Sequence, residues 1–216
     1  MLARNIEFFR GFLKEFHTTG AICSTSPVAA KTLCHPLEGS RSPKRILEVG
    51  AGTGAVTFQI LPRLQEGDSL TICEVNSNFA EQLRKRLDAS PLFAKHAART
   101  SFFEGYIQEL TASQPFDVII CSLPFLNFTV ELTDEIFTKL RELSHEPTVL
   151  TYYEYIGIRS LSKIFSLSQR RERFQKLDAY LTSLLLKHEI QKERIWFNFL
   201  PIDVHTLQLL GKEEGL

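Results

Sequence analysis

The stretch RILEVGAGTGAV, residues 45–56, decides the fold of this 216-residue chain. Ile46–Val49 is a short apolar run, which is typical of a buried β-strand. Gly50–Gly54 has glycine at every second position, and glycine permits the backbone conformations that a tight turn needs. Helical periodicity follows over Ala55–Leu64. The stretch is therefore predicted to form a strand, a glycine turn and a helix, in that order.

The remainder of the chain continues this alternation of strands and helices. An α/β fold is therefore predicted, with a mostly parallel sheet covered by helices on both faces. Further strands are expected at Ser69–Glu74, Thr100–Phe103, Asp117–Ser122 and Thr148–Tyr153. Helices are expected at residues 5–16, Val28–Leu37, Asn78–Asp88 and Leu161–Lys187. Glu193–Phe199 and Val204–Leu210 are expected to close the sheet as an antiparallel hairpin.

Composition narrows the class of protein. The chain has 25 basic and 25 acidic residues, so it lacks the general positive charge of a protein that coats nucleic acid. It contains no run of 18 apolar residues, and charged residues interrupt its N-terminal apolar stretch, so a cytoplasmic protein is expected. Four cysteines without CxxC spacing indicate neither disulfides nor a metal site. They are Cys23, Cys34, Cys73 and Cys121.

Two parts of the chain are distinguished by their patterns. Residues 1–44 are predicted to be a helical segment that packs on the core, with a membrane-facing position as an additional hypothesis. Residues 45–216 are predicted to be a single globular domain.

Two acidic residues suggest what the glycine turn binds. Glycines allow a ligand to approach the backbone, and the start of a helix offers unpaired N–H groups. Glu48, two residues before the first glycine, argues against a pyrophosphate and suits a cationic amino-acid group, bound directly or through water. Glu74 ends the next strand, where a carboxylate can accept both hydroxyls of a ribose. A nucleoside that carries an amino acid fits this pattern, although both acids can also be simply solvated.

The motif ILEVGAGTG, with Glu74 one strand later, resembles that of class I S-adenosylmethionine-dependent methyltransferases. Shorter motifs (SLPF, YYEY and NFLP) resemble bacterial phospholipid N-methyltransferases and the related ribosomal-RNA adenine dimethyltransferases. The resemblance implies a Rossmann-like seven-stranded sheet and S-adenosylmethionine as cofactor. The implied cofactor-binding residues are Glu48, Gly50, Ala51, Gly52, Thr53, Gly54, Glu74, Val75, Tyr106, Ile107, Ser122 and Leu123.

Two positions depart from the family pattern. Family members commonly have an acid after a glycine beyond the third strand, where it meets the adenine amine. This chain has Gly105-Tyr106 instead, so backbone groups of Tyr106 and Ile107 are the expected replacement. The RNA enzymes have Asn-Leu-Pro followed by an aromatic residue, and here Ser122 replaces that Asn. A hydroxyl does not offer the carbonyl acceptor of an amide, which weakens the RNA interpretation.

Three tyrosines flank the end of the predicted fifth strand. Alternation sends Tyr153 and Tyr155 to one face and Tyr152, with Glu154, to the other. Tyrosine rings stabilise a positively charged nitrogen by cation–π attraction. The three tyrosines are therefore the candidate catalytic residues, and half-buried packing is the alternative.

Two segments favour contact with an anionic membrane. The helix predicted at residues 5–16 carries four phenylalanines on one broad face. Between Arg159 and Lys176 there are six basic residues and one acidic residue. Such a cluster attracts anionic lipid and RNA phosphate alike. Peripheral binding at the inner face of the cytoplasmic membrane is the expectation, and a solvated surface is the alternative.

The sequence therefore predicts an S-adenosylmethionine-dependent methyltransferase that acts on an amine, preferably the headgroup of phosphatidylethanolamine. Two alternatives remain, namely an RNA adenine N6-methyltransferase and a non-catalytic protein that binds the cofactor. No metal and no obligate protein partner is expected.

Overall fold

The computed structural model describes residues 25–156, 168–196 and 201–210. Its helices are α1 (Pro27–Leu33), α2 (Thr57–Ile60), α3 (Ser77–Asp88), α4 (Pro91–Ala94), α5 (Val130–Glu142) and α6 (Ser168–His188). Its strands are β1 (Arg45–Val49), β2 (Ser69–Glu74), β3 (Thr100–Glu104), β4 (Phe116–Cys121), β5 (Ser144–Tyr155), β6 (Glu189–Ile195) and β7 (Ile202–Leu207). Short 3-10 turns lie at His35–Leu37, Leu61–Arg63, Ala97–Arg99, Ile107–Glu109 and Phe125–Asn127.

The seven strands form one sheet in the order β3-β2-β1-β4-β5-β7-β6. Pairs from β3 to β5 are parallel, whereas β7 runs antiparallel to both β5 and β6. The predicted Rossmann-like sheet with an antiparallel C-terminal hairpin is therefore confirmed. Among the described residues, no helix is both long enough and apolar enough to cross a membrane.

Each face of the sheet has its own hydrophobic core. Along β4, Val118 and Ile120 point into one core while Ile119 and Cys121 point into the other, because successive strand residues alternate between faces. Helices α1, α2 and α3 cover the first core, and α5 and α6 cover the second. A strand buried on both faces explains why the sequence of β4 is continuously apolar rather than alternating.

Helix bounds differ from the prediction at several places. The helix expected at Val28–Leu37 is α1, which ends at Leu33 and is followed by a 3-10 turn, and the four-residue α4 was not predicted. The helix expected at Ala55–Leu64 is only α2 followed by a 3-10 turn, because Pro62 lacks the N–H that a continuing α-helix requires. Helix α5 was not predicted, although its four core residues have helical spacing and Thr129 caps its first turn by accepting a hydrogen bond from Leu132 N at 3.2 Å. The core residues are Leu132, Ile136, Phe137 and Leu140.

Strand boundaries also differ. In the hairpin, β6 begins at Glu189, four residues before the expected Glu193, and β7 begins at Ile202, two residues before the expected Val204. Strand β5 extends from Ser144 to Tyr155, four residues earlier and two residues later than expected. The predicted helix at residues 5–16 lies outside the described residues, as does the first part of the helix predicted at Leu161–Lys187.

A buried ion pair stabilises the end of the sheet at which β1 and β2 begin. The Asp68 carboxylate, 2% exposed, accepts two hydrogen bonds from the Arg41 guanidinium at 2.7 and 2.8 Å. It also accepts the backbone N–H groups of Lys44 and Gln65 at 2.7 and 2.8 Å. This carboxylate therefore holds together the segments that precede two neighbouring strands.

We expect Asp68→Ala to lower the free energy of unfolding by about 3 kcal/mol, because it leaves a guanidinium unpaired in a buried site. Chemical denaturation measures this loss. The matched control is Asp88→Ala on the exposed end of α3, which should change stability by less than about 0.5 kcal/mol. Equal effects of the two substitutions would contradict a structural role for Asp68.

Candidate active site

A cavity of about 340 Å³ opens at the carboxyl ends of the parallel strands. Its walls come from the loops that follow β1, β2, β3 and β4, together with Thr25, Ile136 and Tyr153. The order of the strands reverses between β1 and β4, and the crevice at such a reversal is the usual ligand site of open α/β sheets. The volume lies in the range of cavities that hold small molecules.

The three loop glycines have positive φ angles and different surroundings. A Cβ at Gly50 would lie 2.8 Å from Leu123 Cδ2, and one at Gly54 would lie 2.6 Å from Leu83 Cδ1. Gly52, with φ of 56°, would meet nothing within 4 Å, and it lines the cavity. Gly50 and Gly54 thus permit close packing, whereas Gly52 keeps space open on the cavity side.

Glu74 connects the glycine loop to the end of β2. Its Oε2 accepts a hydrogen bond from Gly52 N at 2.6 Å, and its Oε1 accepts one from Asn76 N at 2.8 Å. Burial raises the pKa of this carboxyl, while the hydrogen bonds from Asn76 and Gly52 oppose that rise. Glu74 is 5% exposed and lines the cavity, so this carboxylate faces the ligand space from a fixed position.

Glu48 lies beneath the loop rather than in the cavity wall. It is fully buried, and the Thr57 hydroxyl donates one hydrogen bond that its two carboxyl oxygens share, with Thr57 Oγ1 at 2.9 and 2.8 Å from them. Burial raises its pKa to about 8, despite the opposing effect of the Thr57 hydroxyl. Its expected contact with a ligand amino group stays a prediction.

The loop after β3 forms the third part of the wall. Tyr106, Ile107 and Gln108 line the cavity here. Gly105 N donates to Glu74 O at 3.0 Å, which places this loop beside the end of β2. The Glu109 carboxylate accepts Tyr106 N at 3.3 Å within the loop itself.

The loop after β4 brings Ser122 and Leu123 to the cavity. Ser122 N donates to Val49 O at 2.8 Å, so this loop is attached to the end of β1. The Ser122 hydroxyl is buried and has no hydrogen-bond partner among the described residues. A buried hydroxyl without a partner is costly, and a ligand polar group in the cavity would satisfy it.

The three tyrosines are separated by the alternation of β5, as predicted. Tyr153 lines the cavity, and Tyr155 meets its ring edge-on with centroids 5.8 Å apart. Tyr152 is fully buried on the opposite face, where its hydroxyl donates to Glu154 at 3.1 Å. Of the three candidate catalytic residues, only Tyr153 is therefore in the cavity wall.

Sequence reasoning missed part of the cavity wall. The unassigned residues are Thr25, Val49, Ala55, Val56, Cys73, Phe79, Gly105, Gln108, Pro124, Phe128 and Ile136. Phe79 was detectable, because Asn76 is a strong N-cap signal that places the start of α3 at the end of β2. Ile136 and Thr25 lie in segments whose contact with the loops depends on tertiary packing.

Comparison with known proteins gives the class of this domain. Residues 46–145 match the family model described as a methyltransferase domain. A tRNA1(Val) (adenine(37)-N6)-methyltransferase of Cronobacter sakazakii is 28% identical over 109 residues, which cover 50% of this chain and 42% of that protein. An ornithine lipid N-methyltransferase of Singulisphaera acidiphila is 26% identical over 144 residues, which cover 63% of this chain and 70% of that protein.

The fold has solved counterparts. An O-methyltransferase from Bacillus cereus in complex with SAH superposes with a TM-score of 0.63 at 15% identity, covering 92% of this chain and 89% of that one. The match over residues 46–145, which is just under half of the chain, confirms the predicted resemblance to S-adenosylmethionine-dependent methyltransferases and the predicted cofactor. The chain spans less than half the length of the tRNA enzyme.

The described residues fit this cofactor. Gly52 leaves the space that a side chain would fill, Glu74 presents a fixed carboxylate, and the Ser122 hydroxyl lacks a partner in the same cavity. The arrangement suits a ligand that has both hydroxyl donors and a compact chain passing over the glycine loop.

We expect Glu48 to make the free energy of unfolding depend on pH. Its folded-state pKa of about 8 lies above that of an unfolded glutamate, so the folded chain binds the extra proton. The stabilising contribution of Glu48 to the folded state is fully present below about pH 4.5 and is lost as the pH rises through about 8. Glu48→Gln, which stays uncharged, should therefore gain stability relative to wild type between pH 5 and 8.

Denaturation of both proteins across this pH range measures the difference. Glu81→Gln on the exposed face of α3 is the matched control, and its stability should change with pH in the same way as that of wild type. A constant difference between wild type and Glu48→Gln at every pH would show that Glu48 is ionised in the folded protein.

Gly52→Val should abolish binding of S-adenosylmethionine, because its side chain would enter the cavity. Gly39→Val is the matched control, since Gly39 also has a positive φ, of 76°, and open space around it but does not line the cavity. Both variants bear similar backbone strain, so both should lose stability. Titration calorimetry should find a loss of binding only for Gly52→Val, and retained affinity there would exclude the loop as the site.

Proposed function

We propose that the protein transfers the methyl group of S-adenosylmethionine to an amine nitrogen of a lipid headgroup, with phosphatidylethanolamine as the acceptor. The observation that carries this proposal is the composition of the wall formed by Ser122, Phe128 and Tyr153. This wall offers aromatic rings and hydroxyls. Among the described residues that line the cavity, Glu74 is the one with a charged side chain, and it lies on the side of β2.

Glu74 is assigned to the ribose. A carboxylate offers about four positions for hydrogen-bond donors. Gly52 N and Asn76 N occupy one on each oxygen, which leaves capacity for the two ribose hydroxyls. The glycine loop then receives the methionine part of the cofactor, whose sulfonium supplies an electrophilic methyl group when it is bound.

The acceptor must present a free lone pair, so it must reach the site as a neutral amine. A low-dielectric wall favours that form, because burial disfavours the charged ammonium. The unpartnered Ser122 hydroxyl is placed to accept one N–H of the amine and so to orient the lone pair. Orientation of this kind is the main contribution that a protein makes to an in-line transfer.

The nitrogen becomes positively charged as the methyl group arrives. The Tyr153 ring lines the cavity and packs perpendicular to the Tyr155 ring, and in this proposal the part of the Tyr153 ring that borders the cavity meets the developing cation. Cation–π attraction of this kind contributes about 0.5–2 kcal/mol. Tyr152 acts at most through the packing of β5, since it lies in the core on the other side of the strand.

Two similarities bear on the choice of acceptor. The lipid N-methyltransferase is matched over 70% of its length, against 42% for the tRNA enzyme. Similarity to the tRNA enzyme keeps adenine N6 as the second candidate acceptor. The predicted membrane-binding helix lies outside the described residues, and of the basic run only Glu172 to Lys176 have described side chains. Peripheral membrane contact therefore remains part of the proposal.

The test is incubation with methyl-labelled S-adenosylmethionine and, separately, phosphatidylethanolamine vesicles, transfer RNA and ribosomal RNA. Label in lipid alone is the expected result. Label in RNA would replace the lipid by adenine as the acceptor. If none of these substrates is labelled while calorimetry still detects binding of the cofactor, a non-catalytic binding protein would be favoured.

With phosphatidylethanolamine, Tyr153→Leu should lower kcat about tenfold, because it removes the aromatic face but keeps an apolar side chain. Tyr153→Phe is the matched control, since it retains the ring, and it should stay within about twofold of wild type. The KM for S-adenosylmethionine should change little in either variant. Equal losses in both variants would assign the effect to the hydroxyl and contradict the cation–π role.

A further inference from the structure

Arg173 links the basic run, residues 159–176, to the wall of the cavity. Its Nη2 donates a hydrogen bond to Asn127 O at 2.6 Å, and Asn127 lies in the loop after β4. We propose that Arg173 is a positioning residue for the methyl acceptor, because it holds the loop that brings Ser122 and Phe128 to the cavity. The inference rests on the proposed function and gives one residue of the basic run a role in the site.

Helical spacing places Arg173 on the core side of α6. Leu177 and Leu181 follow it at intervals of four residues, and both are buried in the core that α5 and α6 cover. Residues four apart lie on the same face of a helix. Lys176 and Glu172 are instead 63% and 67% exposed, and they pair with each other at 2.9 Å. Arg173 and Lys176 therefore have different surroundings, although both belong to the basic run.

The hydrogen bond from Arg173 fixes one peptide group of the loop. The carbonyl of the peptide between Asn127 and Phe128 accepts from Arg173, while the N–H of the same peptide donates to Phe125 O at 2.9 Å. The C=O and N–H of a trans peptide point in opposite directions, so these two bonds hold its plane from both sides. Phe128 follows this peptide directly and lines the cavity. Arg173 therefore helps to set the position of the Phe128 side chain.

The loop is attached to the rest of the domain at its beginning and in its middle as well. Ser122, its first residue, is bonded to the end of β1 through its backbone N–H. Phe125 is 2% exposed and stacks on Phe137 of α5, with ring centroids 4.8 Å apart. Arg173 attaches the outer part of the loop, where Asn127 is exposed. Loss of this bond should loosen the outer part while the beginning of the loop stays in place.

The effect on the reaction follows from where this loop lies. In the proposed function, the loops after β1, β2 and β3 hold the cofactor, and the loop after β4 contacts the acceptor. Methyl transfer requires the acceptor nitrogen to lie in line with the sulfonium and its methyl group, and small displacements from that geometry lower the rate strongly. Arg173 should therefore influence turnover of the acceptor more than affinity for the cofactor.

The experiment measures kcat/KM for phosphatidylethanolamine dispersed in detergent and, by calorimetry, the affinity for S-adenosylhomocysteine. Arg173→Met keeps an unbranched side chain on α6 but removes the hydrogen-bond donor. It should lower kcat/KM about tenfold, because a charge-assisted hydrogen bond that orients the loop is lost. Its affinity for S-adenosylhomocysteine should stay within about twofold of wild type. Arg173→Lys keeps a cationic donor and should lose no more than about threefold in kcat/KM.

Lys187→Met is the matched control, since it removes one positive charge from an exposed position on the same helix. It should leave both quantities unchanged. Equal losses in Arg173→Met and Lys187→Met would overturn the role of Arg173, as would a loss of cofactor affinity as large as the loss of turnover.

A second acceptor preparation separates positioning from lipid binding. The loss in Arg173→Met should be the same with phosphatidylethanolamine in vesicles that contain anionic lipid. A loss confined to the vesicles would assign Arg173 to the membrane surface and overturn its positioning role, while leaving the proposed function standing. Wild-type protein that binds S-adenosylhomocysteine but methylates phosphatidylethanolamine in neither preparation would overturn the proposed function, and this inference with it.

Discussion

The contact between the Glu74 carboxylate and Gly52 N, at 2.6 Å, is the constraint on which the site depends. It joins the turn after β1 to the end of β2, and the second oxygen joins the same point to Asn76 and the start of α3. Two backbone N–H groups offset part of the cost of burying this charge. The carboxylate is thereby fixed before any ligand arrives, which reduces the entropy lost on binding.

Backbone hydrogen bonds extend this constraint across the sheet. Gly50 N donates to Cys73 O at 2.9 Å, and Ser122 N donates to Val49 O at 2.8 Å. The loops after β1, β2 and β4 are thus attached to one another through main-chain atoms, above strands buried on both faces. The strands beneath therefore determine where the side chains of each loop lie.

Sequence patterns predicted the sheet well, because each buried strand carries its own signal. The bounds of β2 match the prediction, and those of β4 are displaced by one residue. Glu48 and Glu74 illustrate where prediction fails, because both were expected to contact the ligand. Glu48 is the penultimate residue of β1 and lies under the loop against Thr57, whereas Glu74 is the last residue of β2 and lines the cavity. In the register of the two strands Glu48 is opposite Ile72, so Glu74 lies two residues further toward the cavity.

The three glycines of the turn also have features that the local sequence pattern does not predict. The spacing of Gly50, Gly52 and Gly54 predicts a tight turn but treats the three residues alike. In the structure, Leu123 and Leu83 approach two of them, and the third borders open space. Those leucines come from β4's loop and from α3, more than 25 residues away in sequence, so a local pattern carries no information about them.

The proposed site divides into a cofactor half and an acceptor half, which come from different parts of the chain. The cofactor half is built by the ends of β1, β2 and β3, all within the residues that match the methyltransferase family model. The acceptor half adds Tyr153 on β5, and the matched segment ends at residue 145, near the beginning of that strand. Similarity to the family therefore bears on how the methyl donor is held. The acceptor depends on a few side chains, chiefly Ser122, Phe128 and Tyr153, whose chemistry has to be read from the cavity itself.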